Sequence, residues 1–252
     1  MSSNSQLLYE VTDGIGTITI NRAEARNALN AEVRSGIRDS LELFTHDEKA
    51  KVLIITGAGD IAFSAGADLK EMSEQRLTVP EDDFISDLNT PKPVIAAVNG
   101  LAFGGGFYLV QQTDLVVAAE HATFGITEAR HGRGAPWAAQ LPLMIAPRVA
   151  LELLLTAQPI SASRALEVGF LNKVVSAEAL MKTARDLAVQ IAANAPLSVA
   201  AGKAMIRNTI ESTLGAGRLR ANEIWDPVYK SADAQEGPRA FKEKRAPNWL
   251  GY

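Results

Sequence analysis

"PVIAAVNGLAFGGGFYLV", residues 93–110, holds the reading that decides the fold. The apolar run up to Val98 reads as a buried strand, Asn99-Gly100 turns the chain, and Gly104, Gly105 and Gly106 stand where a helix begins. Each glycine in a helix interior costs roughly 1 kcal/mol relative to alanine. Three in succession need a compensating gain, and Tyr108 follows closely enough to share in it.

Upstream of that stretch, residues 7–20 alternate apolar and polar around Asp13-Gly14, the pattern of a two-strand hairpin, with Tyr9 and Val11 on one arm and Ile18 and Ile20 on the other. From Asn30, a suitable N-cap, Val33, Ile37, Leu41 and Phe44 recur at helical spacing, and "KVLIITG" (51–57) is a buried strand. A polar stretch near 81–90 is expected to be helical, followed by a strand over 93–98, a helix over 104–113 and a strand over 114–119. Beyond about residue 136 the pattern is helix after helix: Pro147 suits a first turn, and Leu180, Ala184, Leu187, Ala188 and Ile191 mark one apolar face. The class is α/β in front with a helical C-terminal part.

Composition narrows the function. The chain has 252 residues, 47% of them apolar and 21% charged, with a net charge of −4, which predicts a globular core and no broad attraction to nucleic acid or anionic membrane. The absence of cysteine removes disulfides, thiolate nucleophiles and cysteine-rich zinc sites. The polar "MSSNSQLLYEV" start carries no signal-peptide pattern, and glycines break the one long apolar run, so a cytoplasmic protein without a membrane span is expected.

Two familiar motifs are present only in part. "GAGDIA" after the 51–57 strand has the spacing of a dinucleotide-binding turn, but "FSAGADL" follows in place of a helix start, and no acidic residue ends a second strand at the right distance. "AFSAG" around Ser64 lacks the first glycine of a nucleophile elbow, and none of His46, His121 or His131 is tied to it by spacing.

The loops "AFSAGADLKEM" (62–72) and "VNGLAFGGGFYLV" (98–110) are more informative together. In both, small side chains leave backbone N–H groups accessible, and the second ends at a helix N-terminus, where unpaired donors favour developing negative charge. Gly105 is the natural donor, and a second from Ala65-Gly66-Ala67 would complete an oxyanion hole if the fold brings the loops together. The alternative is that the glycines serve only tight turns or close helix packing.

"AFSAGADLKEM", "PKPVIAAVNGLAFGGGFYLVQQTDLVVAAEHATFGITEA" and "EGPRAFKEKRAPNW" resemble the enoyl-CoA hydratase/isomerase, or crotonase, family, with similarity running from "NRAEARNALN" onward. The resemblance implies a crotonase-like superhelix of repeated ββα turns over residues 1–195 and a helical C-terminal region, 196–252, used to assemble a trimer or a dimer of trimers. It also implies an acyl-CoA thioester substrate whose carbonyl oxygen binds the N–H groups of Ala67 and Gly105, with no metal or redox cofactor. Coenzyme A enters as part of the substrate, and contacts with the thioester carry over to Ala28, Ala65, Gly66, Asp68, Leu69 and Gly104, with Lys70 near the nucleotide phosphates. Glu24 stands at a basic position of the family's pattern, and Arg26 is the nearby substitute.

Hydratases of this family resemble one another in a pair of glutamates. Glu128 in "FGITEA" matches the second, whereas the first falls on Tyr108. A phenol ordinarily titrates near pH 10, so it donates a hydrogen bond at neutral pH and rarely takes a proton. Three readings follow: Glu128 alone shuttles a proton, as in double-bond isomerases; Tyr108 orients a water or a phenolic acyl group, as in hydratase-lyases acting on hydroxycinnamoyl-type thioesters; or Tyr108 fills a pocket that has lost hydration activity. A non-catalytic, RNA-binding member of the fold is the remaining alternative, against which the retained Glu128 and the lack of a basic stripe both argue. In "ARHGRGAPW", Pro136 and Trp137 are expected to narrow the acyl pocket or exclude a water, while Arg130 and Arg133 either pair with an acyl carboxylate or, with His131, form a solvated basic loop.

Overall fold

The computed structural model describes residues 6–68, 70, 71, 88, 90–131, 135–211, 227, 230–233, 236 and 243–252. The helix expected near 81–90 lies outside these residues save for two positions. β1 (Leu7–Thr12) and β2 (Ile15–Ile20) form the antiparallel hairpin, with Tyr9 opposite Ile18. Asp13 and Gly14 take φ of 52° and 77°, the positive pair that a two-residue turn needs to match the strand twist. α1 (Ala31–His46) starts where its cap predicts, Asn30 Oδ1 accepting from Val33 N at 3.0 Å.

β3 (Val52–Gly57), β4 (Ala62–Ser64), β5 (Val94–Val98), β6 (Leu101–Phe103), α2 (Gly105–Gln112), β7 (Leu115–Ala119) and β8 (Thr123–Gly125) come next. α3 (Pro147–Thr156), β9 (Ile160–Ser161), α4 (Ala162–Glu167), β10 (Lys173–Val175), α5 (Leu180–Ala192) and α6 (Pro196–Glu211) complete the series. The strands sort into a six-stranded sheet, β1-β2-β3-β5-β7-β10, and a four-stranded sheet, β4-β6-β8-β9. β3, β5 and β7 are parallel in the first, and β4, β6 and β8 are parallel in the second. The passes β3-β4, β5-β6 and β7-β8 therefore each lay one strand in each sheet in the same order, and β5-β6-α2 is one whole ββα turn.

Side-chain alternation explains why the central strands are almost wholly apolar. Leu53, Ile55, Val94, Ala96, Val98, Val116 and Ala118 join one core with α1 and the phenylalanines, while Val52, Ile54, Ile95, Ala97, Val117 and Ala119 join a second with Leu180, Ala184 and Ala188 of α5. A sheet covered on both faces needs apolar residues at every position. Each fully buried side chain of this kind stabilises the fold by about 1.5–3 kcal/mol, and Ile54→Ala is expected to cost about 2–5 kcal/mol. α6 is tied to the sheet by charge: Lys203 Nζ and Arg207 Nη2 lie 2.7 and 3.0 Å from the Asp114 carboxylate, which also accepts from Val94 N.

The second half differs from the run of helices read in the sequence. β10 pairs with β7 and β9 with β8, and β4 and β6 occupy what read as loops. Strands of two or three residues are too short to show a period, and pairing with neighbours, not propensity, sets them. Among the described residues no helix is long and apolar enough to cross a membrane.

Candidate active site

Three loops meet at the start of α2. In the first, Ser64 is fully buried and its Oγ accepts from Gly66 N at 3.1 Å, so this serine shapes a turn and offers no nucleophile. Gly66 has φ of +89°, and a Cβ there would sit 2.6 Å from Phe103 O and 3.0 Å from Gly105 N. Only glycine lets the two turns come this close. The second loop is the glycine triplet, entered through Gly104, whose N–H donates to Gly125 O at 3.1 Å. The third is residues 26–29: Ala65 N donates to Arg26 O at 2.9 Å and Leu29 N to Gly66 O at 2.8 Å, which brings Ala28 beside the first turn.

The N–H groups of Ala67 and Gly105 are thereby neighbours. A Cβ on Gly105 would lie 3.7 Å from Ala67 N and 3.4 Å from Leu29 Cδ1. Gly105 opens α2, so its N–H has no partner within the helix, and neither amide meets a backbone acceptor among the described residues. Two donors from separate turns, one at the positive end of a helix, make a site for an oxygen that becomes anionic. Gly106 serves packing instead, because a Cβ there would be 2.4 Å from Ser64 O and would hold the helix off β4.

Glu128 follows β8 in a short 3-10 turn, Glu128–His131. Its Oε1 lies 3.0 Å from where a Gly104 Cβ would be, which places the carboxyl against the glycine turn. Gly104, at φ 53° and ψ −124°, adopts a conformation that glycine alone tolerates well. Burial raises the pKa of Glu128 above the usual glutamate range, against weaker downward pulls from its own amide, the Thr127 amide and the Trp137 indole N–H. Glu128 Oε2 is buried with no hydrogen-bond partner among the described residues. A carboxyl held in this way can accept a proton from carbon and return it.

Tyr108 lies one helical turn beyond Gly104, its N–H donating to Gly104 O at 2.9 Å. Its ring stacks on Trp137, with centroids 5.4 Å apart and planes at 23°, and Phe107 meets the same indole edge-on. Pro136 opens the 3-10 helix Pro136–Leu143 that carries Trp137 and is itself exposed.

Asp68 is differently placed. Its Oδ2 pairs with Arg22 Nη1 at 2.9 Å, and its Oδ1 accepts from the amides of Lys70 and Glu71. Burial alone would raise its pKa, but the Arg22 hydrogen bond and charge together with those amides hold it below the ordinary aspartate range. The side chains of Arg26, Lys70 and Arg130 are exposed. Leu69 and Arg133 lie outside the described residues, as does the side chain of His131.

Several residues that hold the site were not singled out from the sequence. Arg22 reaches both Ala28 O and Asp68 across the loops. Buried Asn27 donates to Ala58 O and Ala62 O, and Asn99 bonds Gly57 N, Gly59 O and Ala62 O, so two asparagine amides satisfy the backbone around β4. The only sequence signal was an asparagine in each turn, at "RNA" and "VNG".

Residues 10–251 match the family model described as enoyl-CoA hydratase/isomerase. The chain is 41% identical over 264 residues to the carnitinyl-CoA dehydratase of Salmonella typhi, covering 98% of this chain and 99% of that protein. The Citrobacter koseri carnitinyl-CoA dehydratase is also 41% identical, over 250 residues, with coverage of 93% and 94%. Among solved structures, an enoyl-CoA hydratase from Mycobacterium tuberculosis superposes with a TM-score of 0.93 at 37% identity, covering 98% of this chain and all of that one.

Proposed function

This chain belongs to the enoyl-CoA hydratase/isomerase family and is an acyl-CoA-processing enzyme, and on that premise we propose that it stabilises a thioester enolate between Ala67 and Gly105 while Glu128 alone moves the proton. The observation that carries this reading is the convergence of the two small-residue turns, with the Glu128 carboxyl beside them at Gly104. When the thioester oxygen accepts both N–H groups, C2 becomes acidic enough for a carboxylate to deprotonate. Losing one such donor typically costs about 3–4 kcal/mol of barrier, more than the glycines cost in conformational freedom.

Tyr108 in place of a second carboxylate shapes the rest of the reaction. We assign a reversible elimination of water from a 3-hydroxyacyl thioester. Glu128 takes the C2 proton, the enolate expels the C3 oxygen, and the acid form of Glu128 gives that proton to the departing oxygen, so that water leaves and Glu128 ends as a carboxylate. One group serving in both steps needs no second base. The name shared by the relatives, carnitinyl-CoA dehydratase, supports elimination as the reaction class. Thioester contacts for Ala28, Ala65, Gly66 and Gly104 and nucleotide contacts for Arg26 and Lys70 belong to the same proposal, as does assembly into trimers through residues 196–252. The exposure of Ile206, Ile210 and Leu250 supports the last of these.

Incubation with 3-hydroxyacyl-, 2-enoyl-, 3-enoyl- and hydroxycinnamoyl-CoA, followed by thioester absorbance, tests the reaction. Interconversion of the first two is expected. Turnover confined to 3-enoyl-CoA would make the enzyme an isomerase, and cleavage confined to hydroxycinnamoyl-CoA would make it a hydratase-lyase.

A further inference from the structure

The two amides that face the proposed thioester oxygen are held by different means. Gly105 opens α2, and the helix aims its N–H, whereas Ala67 lies in a turn joined to Leu29 by a single isolated bridge. Two arginines grip the chain around that turn in the same way. One terminal nitrogen of Arg22 donates to Ala28 O at 2.7 Å and to Asp68 Oδ2 at 2.9 Å. One terminal nitrogen of Arg34, in the first turn of α1, donates to Leu29 O and to Glu71 Oε2, both at 2.9 Å. Each guanidinium thus joins a carbonyl of the 28–29 stretch to a carboxylate just past Ala67. The other oxygen of Glu71 accepts from Ala31 N at 2.8 Å.

Leu29 N donates to Gly66 O at 2.8 Å. Gly66 O and the Ala67 N–H belong to one planar trans peptide and point to opposite sides of it, so whatever fixes Leu29 also aims the Ala67 N–H. Arg34 is only 3% exposed, and it places a cation in the first turn of a helix, where the dipole disfavours positive charge. Burial and dipole are two costs that α1 itself does not offset. We infer that Arg34 is a positioning residue for the oxyanion site: by bridging Leu29 O and Glu71 it sets the peptide that presents the Ala67 N–H to the substrate. The inference rests on Ala67 and Gly105 sharing the thioester oxygen and adds the device that aims the first of them. A planar guanidinium fixes the separation of its partners, and in a buried site no water takes over its bonds when it is removed.

Arg34→Met keeps the length and the burial of the side chain and deletes the donors. The expected result is a fall in kcat of between about 10- and 100-fold with KM nearly unchanged, as for a misaimed group that acts in the transition state. The decisive readout is the infrared carbonyl stretch of bound, carbonyl-labelled butanoyl-CoA, a thioester with no 3-hydroxyl to eliminate. Two donors polarise the carbonyl and lower its stretch in the unaltered enzyme, and in Arg34→Met the stretch should return part of the way to its value in solution. An arginine that only supports the fold would lower the melting temperature and leave the stretch of the folded variant in place, and that result overturns the inference. Should Arg34→Met fail to fold, Glu71→Gln decides, since it removes the charge that orients the guanidinium at a side chain 15% exposed. The same displacement in smaller measure is expected there, and an unmoved stretch overturns the inference. Binding to the unaltered enzyme without any lowering of the stretch would instead refute the oxyanion site itself, so the two failures are distinguishable.

Discussion

Two carboxylates flank the paired turns, and their surroundings drive them in opposite directions. Asp68 sits on the turn that supplies Ala67, tied to Arg22 and to two amides that keep it ionised. Glu128 sits against the turn that supplies Gly105, where burial favours the neutral acid and one oxygen has no partner among the described residues. A carboxylate already satisfied by charge and hydrogen bonds has little reason to take a proton. One that is buried and short of partners is poised to exchange it. On the proposed mechanism the first holds the turn and the second carries the chemistry.

The largest effect that could break this contrast is expected at Glu128. Glu128→Gln should lower turnover by at least about 100- to 10,000-fold, with acyl-CoA still bound, as measured by single-turnover kinetics and calorimetric titration. The same substitution should stabilise the protein at neutral pH. A raised folded-state pKa favours folding below the ordinary glutamate value and loses that contribution as pH rises through the folded value. The melting temperature of Glu128→Gln should therefore exceed that of the unaltered protein at pH 7, with the gain vanishing in acid.

Next in size are the glycines, which separate catalysis from folding within one triplet. A Cβ on Gly105 meets only ordinary contacts, so Gly105→Ala should fold, crowd the bound oxygen and lower kcat by about 100-fold or more. Gly106→Ala must push the helix off Ser64 O and should show its effect as lost stability, of about 1–3 kcal/mol by denaturant titration. Equal losses of stability in the two variants would remove the distinction.

The smallest effect is expected at Asp68. Asp68→Asn keeps the shape, loses the ion pair with Arg22 and should cost about 1 kcal/mol of stability, with activity falling only as the turn loosens. The sign is opposite to that of Glu128. A depressed folded-state pKa gives stability that is present above the ordinary aspartate value and lost as pH falls through the folded one, so Asp68→Asn should flatten the acid limb of the stability profile.

What the sequence made legible follows from where each signal resides. The hairpin, the Asn30 cap, the buried strands and the glycine turn are written in residues adjacent along the chain, and the structure has each of them. The pairing of the two loops was readable only as a condition, because nothing local says that Gly66 and Gly105 touch. Arg22 and Asp68 are 46 positions apart, and Tyr108 and Trp137 meet only after two strands and a turn have intervened. The three-residue strands β4, β6 and β8 escaped for the same reason, since their neighbours define them.

The central claim is that the amides of Ala67 and Gly105 share one substrate oxygen. A crystal structure of Glu128→Gln with an acyl-CoA bound tests it directly. The thioester oxygen should lie about 2.7–3.1 Å from both nitrogens, with C2 facing the amide of residue 128. A thioester turned away from either nitrogen, or seated in another cavity, would contradict the account.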